Sequence, residues 1–284
     1  MKASWHWALV PPLVVAAVLL VASQYVFLKG SLHADLGVGR LGTDITAANY
    51  ARVLSDSFYL GSLWLTVKIS ALATLFTLVL GFPVAYMLAR MNPGRAMVLL
   101  ATITAASFIT IVIKVLGLTI LFGTTGPVNS ALLGLGLLDR PISILGTVGG
   151  VVMGLMYFTL AFLVILLYGV IASIPRSLED AAHLLGANRL RVYLRVIVPL
   201  ALPGVIAASL IAFNLCMGAF TSAALLGAGK VLTLPVLIQR TIISDTKYGM
   251  GATLAVVLLV VGLLINLVSL HFATRAKGAR GMAT

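Results

Sequence analysis

The sequence predicts an all-α integral membrane protein of about six transmembrane helices, and three observations carry that prediction. Hydrophobic residues make up 61% of the 284 and charged residues only 9%, against roughly 25% charged in soluble domains. Six apolar stretches are long enough for the roughly 20 residues that cross a hydrocarbon core: about 7–28, 60–89, 96–121, 143–172, 201–227 and 249–273. Between the fourth and fifth lies one polar stretch, 173–200, with its own helical punctuation. No composition shift marks a second domain.

The elements follow in order. Met1 and Lys2 precede the first stretch, whose apolar part outruns a signal-peptide core of roughly 7–15 residues, so a retained span is expected. Residues 29–59 form a long loop, and SDSFYLGSLW (55–64) reads as an interfacial helix leading into the second span. The second and fourth stretches exceed one bilayer thickness and should tilt, kink or project, with Pro83 beside Gly81 as a kink point. The 122–142 loop has turn chemistry at Gly126-Pro127 and Arg140-Pro141 around an apolar middle that reads as a short surface helix. Gly146, Gly149, Gly150 and Gly154 allow close helix packing.

Charge placement orients the chain. With the N-terminus inside, ten cations fall on inner segments (Lys2, Arg90, Arg95, Arg176, Arg189, Arg191, Arg195, Arg275, Lys277, Arg280). Seven fall outside (Lys29, Arg40, Arg52, Arg140, Lys230, Arg240, Lys247). Both termini are therefore expected in the cytoplasm. Asp35, Asp44, Asp56, Asp139 and Asp245 fall outside, Glu179 and Asp180 inside, and no acid lies within any stretch. The net charge of +12 fits an anionic inner leaflet; no basic patch interleaved with aromatics points to nucleic acid.

Several chemistries are excluded. Cys216 is the single cysteine, so no intrachain disulfide or cysteine metal cluster can form. His6, His33, His183 and His271 lack metal-ligand spacing. GAGKVLT around Lys230 lacks the first glycine of a phosphate loop and has Val231 where a hydroxyl is required, so the chain is not expected to hydrolyse ATP. An ion-gradient-driven secondary transporter would need intramembrane carboxylates or inverted repeats, and neither is evident.

The polar stretch is the most informative. Pro175 and Ser177 precede LEDAAHLLGA, a helix start with Glu179 and Asp180 in its first turn. Ala181, Ala182, Leu184 and Leu185 favour helix, and Gly186 can end it with φ > 0 before Ala187. Asn188 is a candidate cap for a second helix, NRLRVYLRVIV, after which Pro199 and Pro203-Gly204 are expected to reset the chain direction. A compact helical elbow results.

At these residues the chain resembles the permease subunits of ATP-binding-cassette importers, whose cytoplasmic loop carries E-A-A, a following G, and a later I-x-L-P. Here the pattern is met by Glu179-Asp180-Ala181-Ala182, Gly186-Ala187, Ile197-Val198-Pro199 and Pro203-Gly204. Asp180 stands where alanine is usual, and Val198 precedes Pro199 in place of leucine. The resemblance covers most of residues 55–272 and is nearest the spermidine/putrescine branch, which LTVKISALATLFTLVLGFPVAYMLAR, GPVNSALLGLGLL and TSAALLGAGKVLTLPVLIQRTI resemble. That branch also includes systems for iron, phosphonates, opines and related solutes.

The resemblance implies the type I importer permease fold in a bacterial inner membrane, with the first short helix a coupling helix seated in a cleft of an ATPase subunit. Glu179, Asp180, Ala181, Ala182, Leu185, Gly186, Ala187 and Pro199 would form the coupling elbow, with Glu179 paired to a basic group on the ATPase. The implied partners are a pair of ATPase subunits holding ATP and Mg, a second permease chain of different sequence, and a periplasmic solute-binding protein; no cofactor binds this chain. Candidate pathway groups are Lys114, Tyr157, Asn214, Thr221 and Ser222, with Phe158 and Asn266 weighed beside them. Lys114 lies deep in its stretch and would attract an anionic group, whereas Lys68, nearer the outer surface, is placed to snorkel.

Overall fold

The computed structural model describes residues 6–37 and 39–281, with side chains for 10–37 and 39–271. Lys2, Arg275, Lys277 and Arg280, four of the cations behind the expected orientation, lie outside the described side chains. The elements are α1 (His6–Ser31), a hairpin of β1 (His33–Asp35) and β2 (Leu41–Ile45), α2 (Ala48–Ser55), α3 (Ser57–Arg90), α4 (Pro93–Ser107), α5 (Ile111–Phe122) and α6 (Pro127–Gly134). Then come α7 (Val148–Ala172), α8 (Ser177–Leu184), α9 (Arg189–Val192), a π turn (Tyr193–Ile197), α10 (Val198–Met217) and α11 (Thr221–Gly227). The last are α12 (Leu234–Gln239), a second π turn (Arg240–Ser244) and α13 (Tyr248–Gly281). Among the described residues, six helical stretches are long and apolar enough to cross a membrane. The chain, read as one domain in the sequence, forms two compact units: residues up to Leu63 with Leu234–Val261, and Trp64–Thr233 with the chain from Gly262 on.

In the first unit, α1 leaves Leu13, Leu19 and Val21 64–68% exposed, a surface suited to lipid. The hairpin was not foreseen. Its turn runs through Gly37 and Gly39, both at positive φ (+89° and +72°). It presents Asp35 to the start of α13, where the carboxylate accepts from the Gly249 N–H (2.7 Å) and the Met250 N–H (2.9 Å). An acid at a helix N-terminus satisfies orphan donors and suits the dipole. Ser31 bonds the Tyr50 hydroxyl (2.6 Å), and Thr253 donates to the Ser31 carbonyl (3.1 Å), which knits α1, α2 and α13 together.

In the second unit, α7 is the central helix. Leu163, Leu167 and Ile171 are fully buried against Phe82, Ala85 and Leu88 of α3 and Ala201 and Val205 of α10. The helices approach closely because side chains are missing at the crossings. A Cβ on Gly204 would collide with Val170, and one on Gly154 would collide with Leu226 of α11.

Three expectations are corrected. The stretch 96–121 is not one helix: it breaks at Phe108–Thr110, and the apolar helical stretch that follows is Ile111–Gly134, built from α5, a turn at Gly123–Gly126 and α6. Stretch 201–227 likewise breaks at Gly218–Phe220. Residues 55–64 are no separate interfacial helix. The Asp56 carboxylate accepts from the Phe58 N–H (2.9 Å), an N-cap that starts α3, and the short helix is α2 just before it. The surface helix expected between Gly126-Pro127 and Arg140-Pro141 is present as α6, held by Asn129, whose amide bonds Gly123 and Ile142 carbonyls at 2.7 Å.

Candidate functional site

The elbow forms as its residues dictate. Helix α8 starts at Ser177 and ends in a Schellman turn: the Ala187 N–H reaches the Ala182 carbonyl (3.0 Å) and the Gly186 N–H the His183 carbonyl (2.9 Å), with Gly186 at φ +83°. The His183 ring (Nδ1) bridges the turn to the Ala187 carbonyl at 2.9 Å. Asn188 caps α9 as expected, its side chain accepting from the Arg191 N–H (2.8 Å).

Beyond the cap the expectation fails. The chain does not change direction at Pro199; it is helical without interruption from Arg189 to Met217. The π turn explains how. The Val198 N–H bonds the Tyr193 carbonyl five residues back, a wider turn immediately before the ring of Pro199, which has no N–H to give. Pro203 is then carried inside α10. The basic run NRLRVYLRVIV is the amphipathic root of the fifth span.

The carboxylate of Glu179 turns inward. The Arg90 guanidinium at the end of α3 pairs with it, and the Tyr86 hydroxyl donates to it at 2.9 Å. Glu179 is buried and its partners lie within the chain, so it is not held out toward a foreign cation. Arg90 also donates to the carbonyls of Ile171 (3.4 Å) and Ile174 (3.2 Å) at the end of α7. Arg176, just after α7, donates in return to the carbonyls of Ala89 (3.3 Å) and Met91 (3.4 Å) at the end of α3. Each arginine thus satisfies the orphan carbonyls of the helix that the other leaves. Tyr193 stacks edge-on against Phe82 and Tyr86 at 5.6 and 5.2 Å, seating the elbow on α3.

The other face of α8 is bare. Leu184 and Leu185 are each 89% exposed, and Asp180, Ala181 and Gly186 are exposed beside them. An exposed apolar tip thus projects from a base fixed by charge.

The pathway candidates scatter. Lys114 and Tyr157 come together: the ammonium lies over the Tyr157 ring, 5.7 Å from its centre, and donates to the Ser107 carbonyl at 3.1 Å. The others do not join them. Asn214 exchanges amide hydrogen bonds with Asn266 of α13 (2.9 and 3.0 Å), an interhelical tie. Ser222 is fully buried on α11 against Gly154 of α7, away from any open wall. Thr221 begins α11 after the break, and Lys68 is exposed on α3. Phe158 packs on Phe162 at 6.1 Å.

Six helical stretches of membrane-crossing length with exposed apolar flanks define the class: an all-α integral membrane protein. The comparisons agree. The chain belongs to the family described as the binding-protein-dependent transport system inner membrane component, whose model matches residues 45–278. It is therefore a multi-span inner-membrane permease subunit of an ATP-binding-cassette import system. It is 36% identical over 221 residues to the spermidine/putrescine transport system permease protein PotB of Escherichia coli strain K12, covering 78% of this chain and 80% of that one. The putative 2-aminoethylphosphonate transport system permease protein PhnU of Salmonella paratyphi A is 27% identical, with 90% of this chain and 87% of that one covered. The fold matches a bacterial transporter that imports the polysaccharide alginate, with a TM-score of 0.79 at 20% identity and 96% of each chain covered. It also matches the MetNI methionine transporter, with a TM-score of 0.58 at 19% identity over 76% of this chain and 94% of that one.

Proposed function

We propose that this chain forms half of the translocation pathway of an ATP-driven importer and that α8 is its coupling helix. A pair of ATPase subunits, which hold the ATP and Mg, would seat Leu184 and Leu185 in a cleft, and a second permease of different sequence would complete the pore. A periplasmic binding protein delivers the solute, and both termini face the cytoplasm. The solute is a polyamine or a related small amine such as an aminophosphonate, which the similarity to the PotB and PhnU permeases supports.

The observation that carries the reading is the pairing of an 89%-exposed apolar tip with a base clamped to the ends of two spans. A push on the tip reaches both helices, whereas a loose link would absorb it. The test is Leu184→Asp with Leu185→Asp. Both side chains are free of packing, so folding should be unchanged while ATPase co-purification and ATP-dependent uptake are lost. A doubly substituted chain that still holds the ATPase and transports normally would refute the assignment.

A further inference from the structure

The break between α4 and α5 opens a cavity of about 400 Å³ lined by Leu80, Val84, Ile103, Lys114, Tyr157 and Leu160, among others. Every wall but one is apolar or aromatic. The exception is Lys114, a residue only 7% exposed. An ammonium has three donors; the described contacts are one hydrogen bond to Ser107 and the face of Tyr157. Within the predicted spans, no carboxylate is available to neutralise it. A buried cation held this way is costly in hydrocarbon and calls for a counter-charge.

The depth of the site limits what that counter-charge can be. Tyr157 lies about 14 Å along α7 from its start and about 22 Å from its end, well inside a hydrocarbon core of about 30 Å. Lipid phosphates sit at the interface, not here. The cavity is within the size range of small-molecule sites, roughly 300–1,000 Å³.

We infer that this cavity takes the oxyanion group, carboxylate or phosphonate, of the transported solute, and that Lys114 binds it. The inference rests on the importer reading and narrows its solute: of the two chemistries named above, the acid-bearing amine fits, whereas a polycation would bring its own ammonium groups against Lys114.

Putrescine and γ-aminobutyrate share a carbon chain and differ in one terminus, amine against acid, so they form a matched pair of probes, with 2-aminoethylphosphonate as a third. Binding of each radiolabelled probe to the purified permease–ATPase complex is measured without the binding protein, whose selectivity would otherwise enter, and ATP-driven uptake is measured in liposomes with it. The acid-bearing probes should bind and be taken up. Lys114→Met should weaken their binding by about tenfold or more, Lys114→Arg should largely preserve it, and ATPase co-purification should not change in either. Binding of putrescine alone, of no acid-bearing probe, or of acid-bearing probes equally by Lys114→Met overturns the inference. So does a Lys114→Met effect that follows the anionic-lipid fraction of the liposomes and not the probe. Failure of the unsubstituted chain to retain any ATPase would instead overturn the importer reading beneath it.

Discussion

Replacing Arg90 with methionine should release the elbow while leaving the spans folded. Methionine keeps the apolar stem but removes the pair with Glu179 and the bonds to the Ile171 and Ile174 carbonyls. The Glu179 side chain, 12% exposed, is left with the Tyr86 hydroxyl alone. Breaking one side of a buried pair costs about 3–5 kcal/mol; partial access to water at the helix ends lowers that to about 2–3 kcal/mol. The fraction of chains with the elbow detached should then rise about 30- to 150-fold. Amide hydrogen exchange reads this directly: residues 177–192 should lose protection while 160–171 of α7 keep theirs. The double variant Arg90→Met with Glu179→Met strands no charge, so its elbow should open less than that of Arg90→Met alone. Unchanged protection in the single variant, or simple addition of the two single effects in the double, would refute the clamp.

Three further outcomes follow from the geometry. Gly186→Val puts a β-branched residue at φ +83°, which should cost about 1–2 kcal/mol locally and lower uptake per ATP hydrolysed; unchanged coupling would count against the turn. Asn266→Leu leaves the Asn214 amide without its cross-helix partner and should cost about 1–2 kcal/mol of thermal stability, part of which Asn214→Leu added to it should restore. Gly154→Val drives a side chain into Leu226; a loss of about 1–3 kcal/mol is expected in a melting assay of the purified complex, eased by adding Leu226→Ala.

Much of this was legible from residue chemistry, and the failures share a cause. Gly186 and Asn188 announced a turn and a cap because their conformational and hydrogen-bonding preferences are local, and Gly126-Pro127 announced α6 in the same way. Hydropathy could not show the breaks at Phe108–Thr110 and Gly218–Phe220, because a broken helix inside an apolar run is as apolar as an intact one. Ser107, Thr110 and Lys114, three polar residues within one apolar run, were the available sign of the first break. Pro199 misled because a proline is ordinarily a terminator, and the π turn that accommodates it is a property of backbone pairing, not of composition. Glu179 was expected to face outward because its partner, Arg90, lies 89 residues away in sequence, beyond the reach of any local pattern.

The inward turn of Glu179 changes how the elbow can act. If its carboxylate were the docking contact, force from a partner would enter at the first turn of α8 and have only one helix to move. In the proposed coupling role, with the carboxylate locked to Arg90, force would enter at Leu184 and Leu185 and pass along α8 to Glu179, about 8 Å, as through a strut. It would then divide. Arg90 would carry it to the ends of α3 and α7 together, since Arg176 ties the same two ends from the other side. The cross-bonding couples the two helix ends, so a push on the elbow is expected to move the end of α3 in concert with the end of α7. Asp180, the neighbouring acid and the one the crossing does not use, remains exposed on the tip side. Glu179 and Asp180 therefore divide their roles by helix face: one fixes the base of the lever, and the other is available where a partner would meet it.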